Sequence, residues 1–128
     1  IMLDGDHFKL INDNYGHLVG DEVIKLSAQM IIGRIRTIDL ASRLHGDEFS
    51  IFVANTNDYS VAARIVEDIN HTLSGEAVRR NIPPITLSAG AVIAHGGDSY
   101  AELAKLADAA LYRAKETHDG GFASAAVS

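Results

Sequence analysis

Apolar residues change period several times along the chain, and each change marks an element. Residues 1–3 are a short apolar run that stops at Asp4-Gly5-Asp6, as a buried strand does when its end opens onto a polar site. The spacing predicts a helix starting at Asp6, a favourable N-cap, with Phe8, Ile11 and Tyr15 on one face and Gly16 at its end. Val23, Leu26 and Met30 then recur at helical spacing beside Ile24, Ala28, Ile31 and Ile35, which predicts a long amphipathic helix over 19–38. Segments 40–44 and 49–54 read as strands joined by His45-Gly46-Asp47-Glu48, a polar turn suited to a hairpin. Val61, Ala62, Ile65, Val66, Ile69 and Leu73 predict another helix, and Pro83-Pro84 closes the loop after it. Ile85, Leu87, Ala89, Ala91 and Ile93 alternate with their neighbours, predicting a long strand. Leu103, Leu106, Ala107, Ala110, Leu111 and Ala114 mark the last helix, and Gly120-Gly121 leads into a terminal strand over 122–127.

This order predicts an α/β (α+β) fold, a sheet covered by helices, and by itself says nothing about function. A length of 128 residues with 47% apolar content suits a single domain, 1–128. Because residue 1 lies inside a predicted strand, the start of the domain is expected to be missing and the chain to be part of something longer. A formal charge of -6 with no basic patch argues against nucleic acid as a partner. No cysteine is present, and no apolar run approaches the roughly 18 residues of a membrane span, so a cytoplasmic location is expected. His7, His17, His71, His95 and His118 fall in separate elements without zinc-ligand spacing.

Candidate chemistry concentrates in three acids. Asp4 stands at a strand end, and Asp47 and Glu48 at a hairpin tip. Unit charges ~4 Å apart interact by about 4 kcal/mol at an effective dielectric of 20, so acids gathered there would need a cation between them. Oxygen-only ligands favour Mg²⁺, which binds through one or two carboxylates plus substrate phosphates. A nucleoside triphosphate would supply those phosphates, the helix starting near Asp6 would offer free N–H groups, and Lys9 lies one turn further in. Taken singly, each Asp is as readily a helix cap or a turn residue. The joint pattern is what points to a site.

That joint pattern resembles a known family. LDGDHFKLINDNYGH, from Leu3, is similar to D-x-D-x-F-K-x-I-N-D-x-x-G-H of the GGDEF domain, the diguanylate cyclase fold. RLHGDEF, from Arg43, lies close to the signature R-x-G-G-D-E-F, and ADAALYRAK ends at Lys115. The resemblance implies a mostly antiparallel central sheet, as in nucleotide cyclases and polymerase palms. It implies that Asp4, Gly5 through its carbonyl, Asp47 and Glu48 hold Mg²⁺ or Mn²⁺, with Asp47 and Glu48 the catalytic pair. Asn12 and Asp21 would bind guanine, and His7, Phe8, Lys9 and Lys115 the phosphates of GTP. Arg36 and Asp39 stand where the family has its R-x-x-D inhibitory site for cyclic di-GMP. Two such domains would face each other as a homodimer, beside a sensor or phosphodiesterase domain.

Three departures bear on activity. His45 replaces the first signature glycine and is expected to crowd the nucleotide, at a cost of roughly 1–2 kcal/mol if its backbone must be left-handed. Asp119 replaces an expected phosphate-gripping arginine, and Gly5 replaces an apolar residue and is expected to loosen the segment around it. Two readings follow. One is a Mg²⁺-dependent diguanylate cyclase, favoured by Asp4, Asp47, Glu48, Asn12, Asp21 and Lys115. The alternative is a catalytically degenerate domain that binds GTP or cyclic di-GMP and regulates its neighbour, favoured by His45 and Asp119.

Overall fold

The elements follow one another in the predicted order: β1 (Met2–Gly5), α1 (Phe8–Tyr15), α2 (His17–Arg34), β2 (Leu40–His45), β3 (Glu48–Phe52), α3 (Tyr59–Arg79), β4 (Leu87–Ala91), α4 (Tyr100–Ala114) and β5 (Phe122–Ser124). The structure, a computed structural model, describes residues 1–116 and 119–125. His118 and the end of the predicted terminal strand, Ala126 and Val127, lie outside the described residues.

The five strands form one sheet in the order β2-β3-β1-β4-β5. β2 with β3, β3 with β1, and β1 with β4 are antiparallel, and only β4 with β5 is parallel, so the sheet is mostly antiparallel as expected. β1 is the central strand. Its Leu3 pairs with Phe49 on one side and Ala89 on the other, and all three face the core. Val23, Leu26 and Ile31 of α2 and Val66, Ile69 and Leu73 of α3 complete that core. Fully burying one such side chain stabilises the fold by roughly 1.5–3 kcal/mol.

α4 covers the opposite face, over β4, β5 and β1. Helices therefore lie on both sides of β4, and all five of its residues are buried. This corrects the long alternating strand expected over 85–93. Leu87, Ala89 and Ala91 face the core beside α3, whereas Ser88 and Gly90 point to the other face, where Ser88 bonds to Asp6 and α4 leaves no room for a side chain at Gly90. A Cβ at Gly90 would overlap the backbone of Leu111 and Ala107. α4 itself begins at Ser99, whose hydroxyl accepts from Glu102 N, the first half of a capping box.

Two helix boundaries differ from expectation. α1 starts at Phe8 with His7, in the left-handed conformation (φ 59), at its N-cap. Asp6 is not the cap, because its carboxylate is buried and bonded to Thr86, Ser88 and Gly120 instead. α2 stops at Arg34, since Ile35 turns extended and Arg36 N donates to Asp39 Oδ2 at 2.8 Å. None of the helices among the described residues is long and apolar enough to cross a membrane.

The contact at Gly90 gives a first prediction. Gly90→Ala should push α4 off β4 and destabilise the domain by about 1–3 kcal/mol, the usual range for overpacking a core. A urea titration against the parent checks it, and an unchanged midpoint would show that α4 sits less tightly than described.

Candidate functional site

The β1–β3 ladder sets Asp4 opposite Glu48, which leaves Asp47 at the turn one residue further on. Across that turn His45 pairs with Glu48 after a bulge at Arg43, and Gly46 alone takes the left-handed conformation (φ 53). The turn is thus Gly46-Asp47, tighter than the four residues expected. Asp47 comes against Asp4, and the two carboxyl groups share a hydrogen bond. Burial, then the hydrogen bond to Asp4 and its charge, push the Asp47 pKa up to about 6.

A cavity of about 390 Å³ opens beside this pair, lined by Asp4, Gly5, His7, Phe8, Lys9, Asn12, Asp47 and Glu48. The strand end, the hairpin tip and the first turn of α1 each contribute a wall. The first turn of α1 opens onto this cavity, and the start of a helix attracts anions.

Gly5 is buried and held at both ends. Its N–H donates to Asp47 O at 3.2 Å and its carbonyl accepts from Lys115 Nζ at 2.9 Å. A Cβ there would stand 2.8 Å from Asp47 Oδ2 and 2.9 Å from Ile85 Cδ1. The missing side chain therefore makes room for Asp47, where looseness was expected.

Lys115, at the end of α4, also lies 3.6 Å from Asp4 Oδ2 and 3.4 Å from Asp6 Oδ1. Asp6 was missed as anything but a cap. Burial works to raise its pKa, but hydrogen bonds from Gly120 N, Thr86 and Ser88 and the Lys115 charge outweigh that and leave it below the usual value. The sequence signal available was the paired acids of D-G-D. Nothing local announces partners eighty or more residues away.

Asn12 packs against Gly20, where a Cβ would overlap its Oδ1, and this brings α1 beside exposed Asp21 on α2. Asp21 does not line the cavity, and neither does Lys115. Among the described residues no three His, Asp or Glu side chains converge as metal ligands. What the structure supplies is two carboxyls and the Gly5 carbonyl, an all-oxygen set that fits a hard cation completing its shell with phosphates. A cation there would favour the ionised form of Asp47 against the upward push of its burial and of Asp4.

His45 has no positive φ, so the expected backbone cost does not arise. Its exposed ring instead places Nε2 3.3 Å from Glu48 Oε2. Asp119 lines a neighbouring cavity of about 330 Å³ with Asp6, Leu10, Asn14 and Tyr15, whereas Asp47 lines the first. It does not face the Asp4–Asp47 cleft.

Arg36 and Asp39 come together, but with each other. Asp39 accepts from Arg36 Nε at 3.1 Å, Arg36 Nη2 at 3.0 Å and Ala54 N at 2.9 Å, with its side chain wholly buried. The Arg36 guanidinium, half exposed, also reaches Ala54 O. The pair locks the start of β2 to the end of β3, which is more than the solvated ion pair that spacing alone suggests. Its guanidinium holds the Asp39 pKa down to about 2, with the Ala54 amide adding to the effect.

Comparison with known proteins bears directly on this geometry. The sequence profile described as "Diguanylate cyclase, GGDEF domain" matches residues 1–120. The chain is 39% identical over 122 residues to the probable diguanylate cyclase DgcT of Escherichia coli, covering 91% of this chain and 27% of that protein. It is 37% identical over 120 residues to the diguanylate cyclase VdcA of Vibrio cholerae, covering 90% and 35% respectively. The chain thus spans about a quarter to a third of these relatives. Among solved structures, the active GGEEF domain of a Vibrio cholerae diguanylate cyclase superposes with a TM-score of 0.85 at 31% identity, over 99% of this chain and 81% of that one. The coiled coil and GGDEF domain of DgcB from Caulobacter crescentus, in complex with c-di-GMP, gives 0.85 at 32% identity, over 97% and 67%.

Two predictions follow from the site. Gly5→Ala should push Asp47 away from Asp4 and lower its titration midpoint from about 6, as read by carboxyl ¹³C NMR; an unmoved midpoint would mean that Gly5 does not set the pair. Asp39 binds fewer protons folded than unfolded between pH 3.8 and about 2, so its contribution is present above that window and is lost as pH falls through it. Asp39→Asn should cost about 1.5–3 kcal/mol at pH 7 and flatten the acid limb of stability against pH. Denaturant midpoints at pH 7 and pH 3 measure both effects.

Proposed function

This chain belongs to the diguanylate cyclase GGDEF-domain family, and we propose that it condenses two GTP into cyclic di-GMP and two pyrophosphates as a homodimer. The observation that carries this reading is the Asp4–Asp47 carboxyl pair, pushed together at the edge of a cavity that the start of α1 also lines.

Mg²⁺ or Mn²⁺, held by Asp4, Asp47 and the Gly5 carbonyl, would neutralise charge on the triphosphate and orient it for in-line attack. The chain's own groups do the rest. His7 and Phe8 offer backbone N–H groups to the β- and γ-phosphates, and Lys9 and Lys115 add positive charge. Asn12, which lines the cavity, and Asp21 on the neighbouring helix would hold the guanine. Glu48 stands where it would meet a ribose 3′-hydroxyl. In each half-reaction that hydroxyl oxygen bonds to the α-phosphorus of the partner's GTP while the bond to pyrophosphate breaks and the hydroxyl proton is released. Positioning and charge neutralisation suffice for such a transfer, without a covalent nucleophile. Product inhibition belongs to Arg36, whose half-exposed guanidinium would meet cyclic di-GMP while Asp39 anchors it. The domain works in the cytoplasm, under a neighbouring sensor or phosphodiesterase domain.

One observation favours a second reading. The His45–Glu48 contact occupies the acid nearest the proposed hydroxyl. A domain disabled there would bind GTP or cyclic di-GMP and regulate its neighbour without turning over.

Calorimetry and a product assay, run at dimer-forming concentration, decide between them. GTP should bind only with Mg²⁺ present, Asp4→Ala should abolish binding, and cyclic di-GMP should accumulate. His45→Gly should raise synthesis tenfold or more, which needs only ~1.4 kcal/mol. Equal GTP affinity with and without EDTA would sink the metal assignment. Tight nucleotide binding with no product from either protein establishes the regulatory reading.

A further inference from the structure

Asp6 takes no part in the chemistry above, yet it is the most heavily bonded acid near the cavity. Its residue is only 4% exposed. Thr86 Oγ1 donates to Oδ2 at 2.7 Å, Ser88 Oγ to Oδ1 at 2.7 Å, and Gly120 N to Oδ2 at 2.9 Å. A carboxylate has about four lone-pair sites, and Lys115 Nζ, 3.4 Å from Oδ1, takes up what these leave. One side chain thus gathers the residues before and within β4, the turn before β5 and the end of α4 at the strand that carries Asp4.

Lys115 is a long, flexible side chain, and a flexible cation loses rotamer freedom when it grips a phosphate unless it is already held. Here the ammonium is held. Gly5 O, Asp6 Oδ1 and Asp4 Oδ2 lie 2.9, 3.4 and 3.6 Å from Nζ. Of these three, Asp4 and the Gly5 carbonyl are the groups assigned to the metal, whereas Asp6 is not. We propose that Asp6 is a positioning residue: it fixes the Lys115 ammonium beside the Asp4–Asp47 pair so that it meets the terminal phosphates of a bound nucleoside triphosphate. The assignment rests on the GTP reading of the cavity. It goes beyond it in giving a task to an acid that touches neither metal nor substrate.

A merely structural Asp6, filling a polar hole between β1 and β4, would affect every ligand alike. A positioning Asp6 affects the triphosphate selectively. Asp6→Asn keeps the shape and an oxygen for one hydroxyl, but removes the charge facing Lys115. With Mg²⁺ present it should lower GTP affinity at least tenfold and GMP affinity less than twofold. Lys115→Met should show the same selectivity, and the double variant should be no worse than Lys115→Met alone. Without any nucleotide, ¹⁵N NMR of the lysine ammonium groups should show an exchange-protected Lys115 resonance in the parent that disappears in Asp6→Asn. Equal losses for GTP and GMP, additive effects in the double variant, or a resonance that persists in Asp6→Asn would each overturn the proposal. Should Asp6→Asn fail to fold, Ser88→Ala removes one hydroxyl from the carboxylate, leaves its charge, and should give a selective GTP loss of two- to fivefold; an unselective loss counts against the proposal. A parent that binds no GTP overturns the underlying reading, while the ammonium resonance still decides whether Asp6 holds Lys115.

Discussion

Two carboxyl groups sit against each other because the backbone gives them no alternative. Once β1 and β3 pair with Asp4 opposite Glu48, a two-residue turn must deliver Asp47 to the end of β1, and Gly5 offers no side chain to keep it away. Such a contact is unfavourable between two charged acids, and it adds to the burial that pushes Asp47 up to about 6. It persists because the ladder is anchored elsewhere. Leu3 and Phe49 lie at the same paired position and are almost completely buried, so separating the acids would mean opening the core. The strain at the site is supported by hydrophobic packing one residue away.

Around that contact the polar network divides the labour. Lys115 supplies a positive charge, Asp6 balances it from behind, and the hydroxyls and amide around Asp6 leave no buried polar side-chain atom unsatisfied among the described residues. The same logic governs the far end of the hairpin, where Asp39 is filled by Arg36 and Ala54. Both acids are held below the usual carboxylate range because their neighbours are donors, whereas Asp47 is pushed up by burial and by a neighbouring acid.

Much of this was legible in the residues. The order of elements followed from local periodicity, and the clustering of Asp4 and Asp47 from a strand end and a hairpin tip. What escaped was decided at long range. Asp6 looked like a cap because capping is the nearest use for an acid before a helix, and its real partners lie on β4 and beyond α4. The 85–93 strand was read as long from its alternation alone; the small residues Ser88 and Gly90 were the sign that both of its faces are covered. His45 was judged against a glycine's backbone, whereas the bulge at Arg43 lets it remain extended. Asp119 was placed by its neighbours in sequence in the grip of a phosphate, whereas it lines a different cavity from the one beside Asp47.

The sheet order also governs how the molecule is made. β1 is the middle strand of the sheet, and it gains its second neighbour only when β4 arrives. Asp6 is satisfied by hydrogen bonds that span 80, 82 and 114 residues of chain. Contacts of such separation are slow to form, because a long loop must close before they return anything. An emerging chain can therefore build the β2–β3 hairpin and its helices early. The cleft around Asp4 is completed only once the turn at Gly120 has emerged, so it forms later than the hairpin that carries half of its acids.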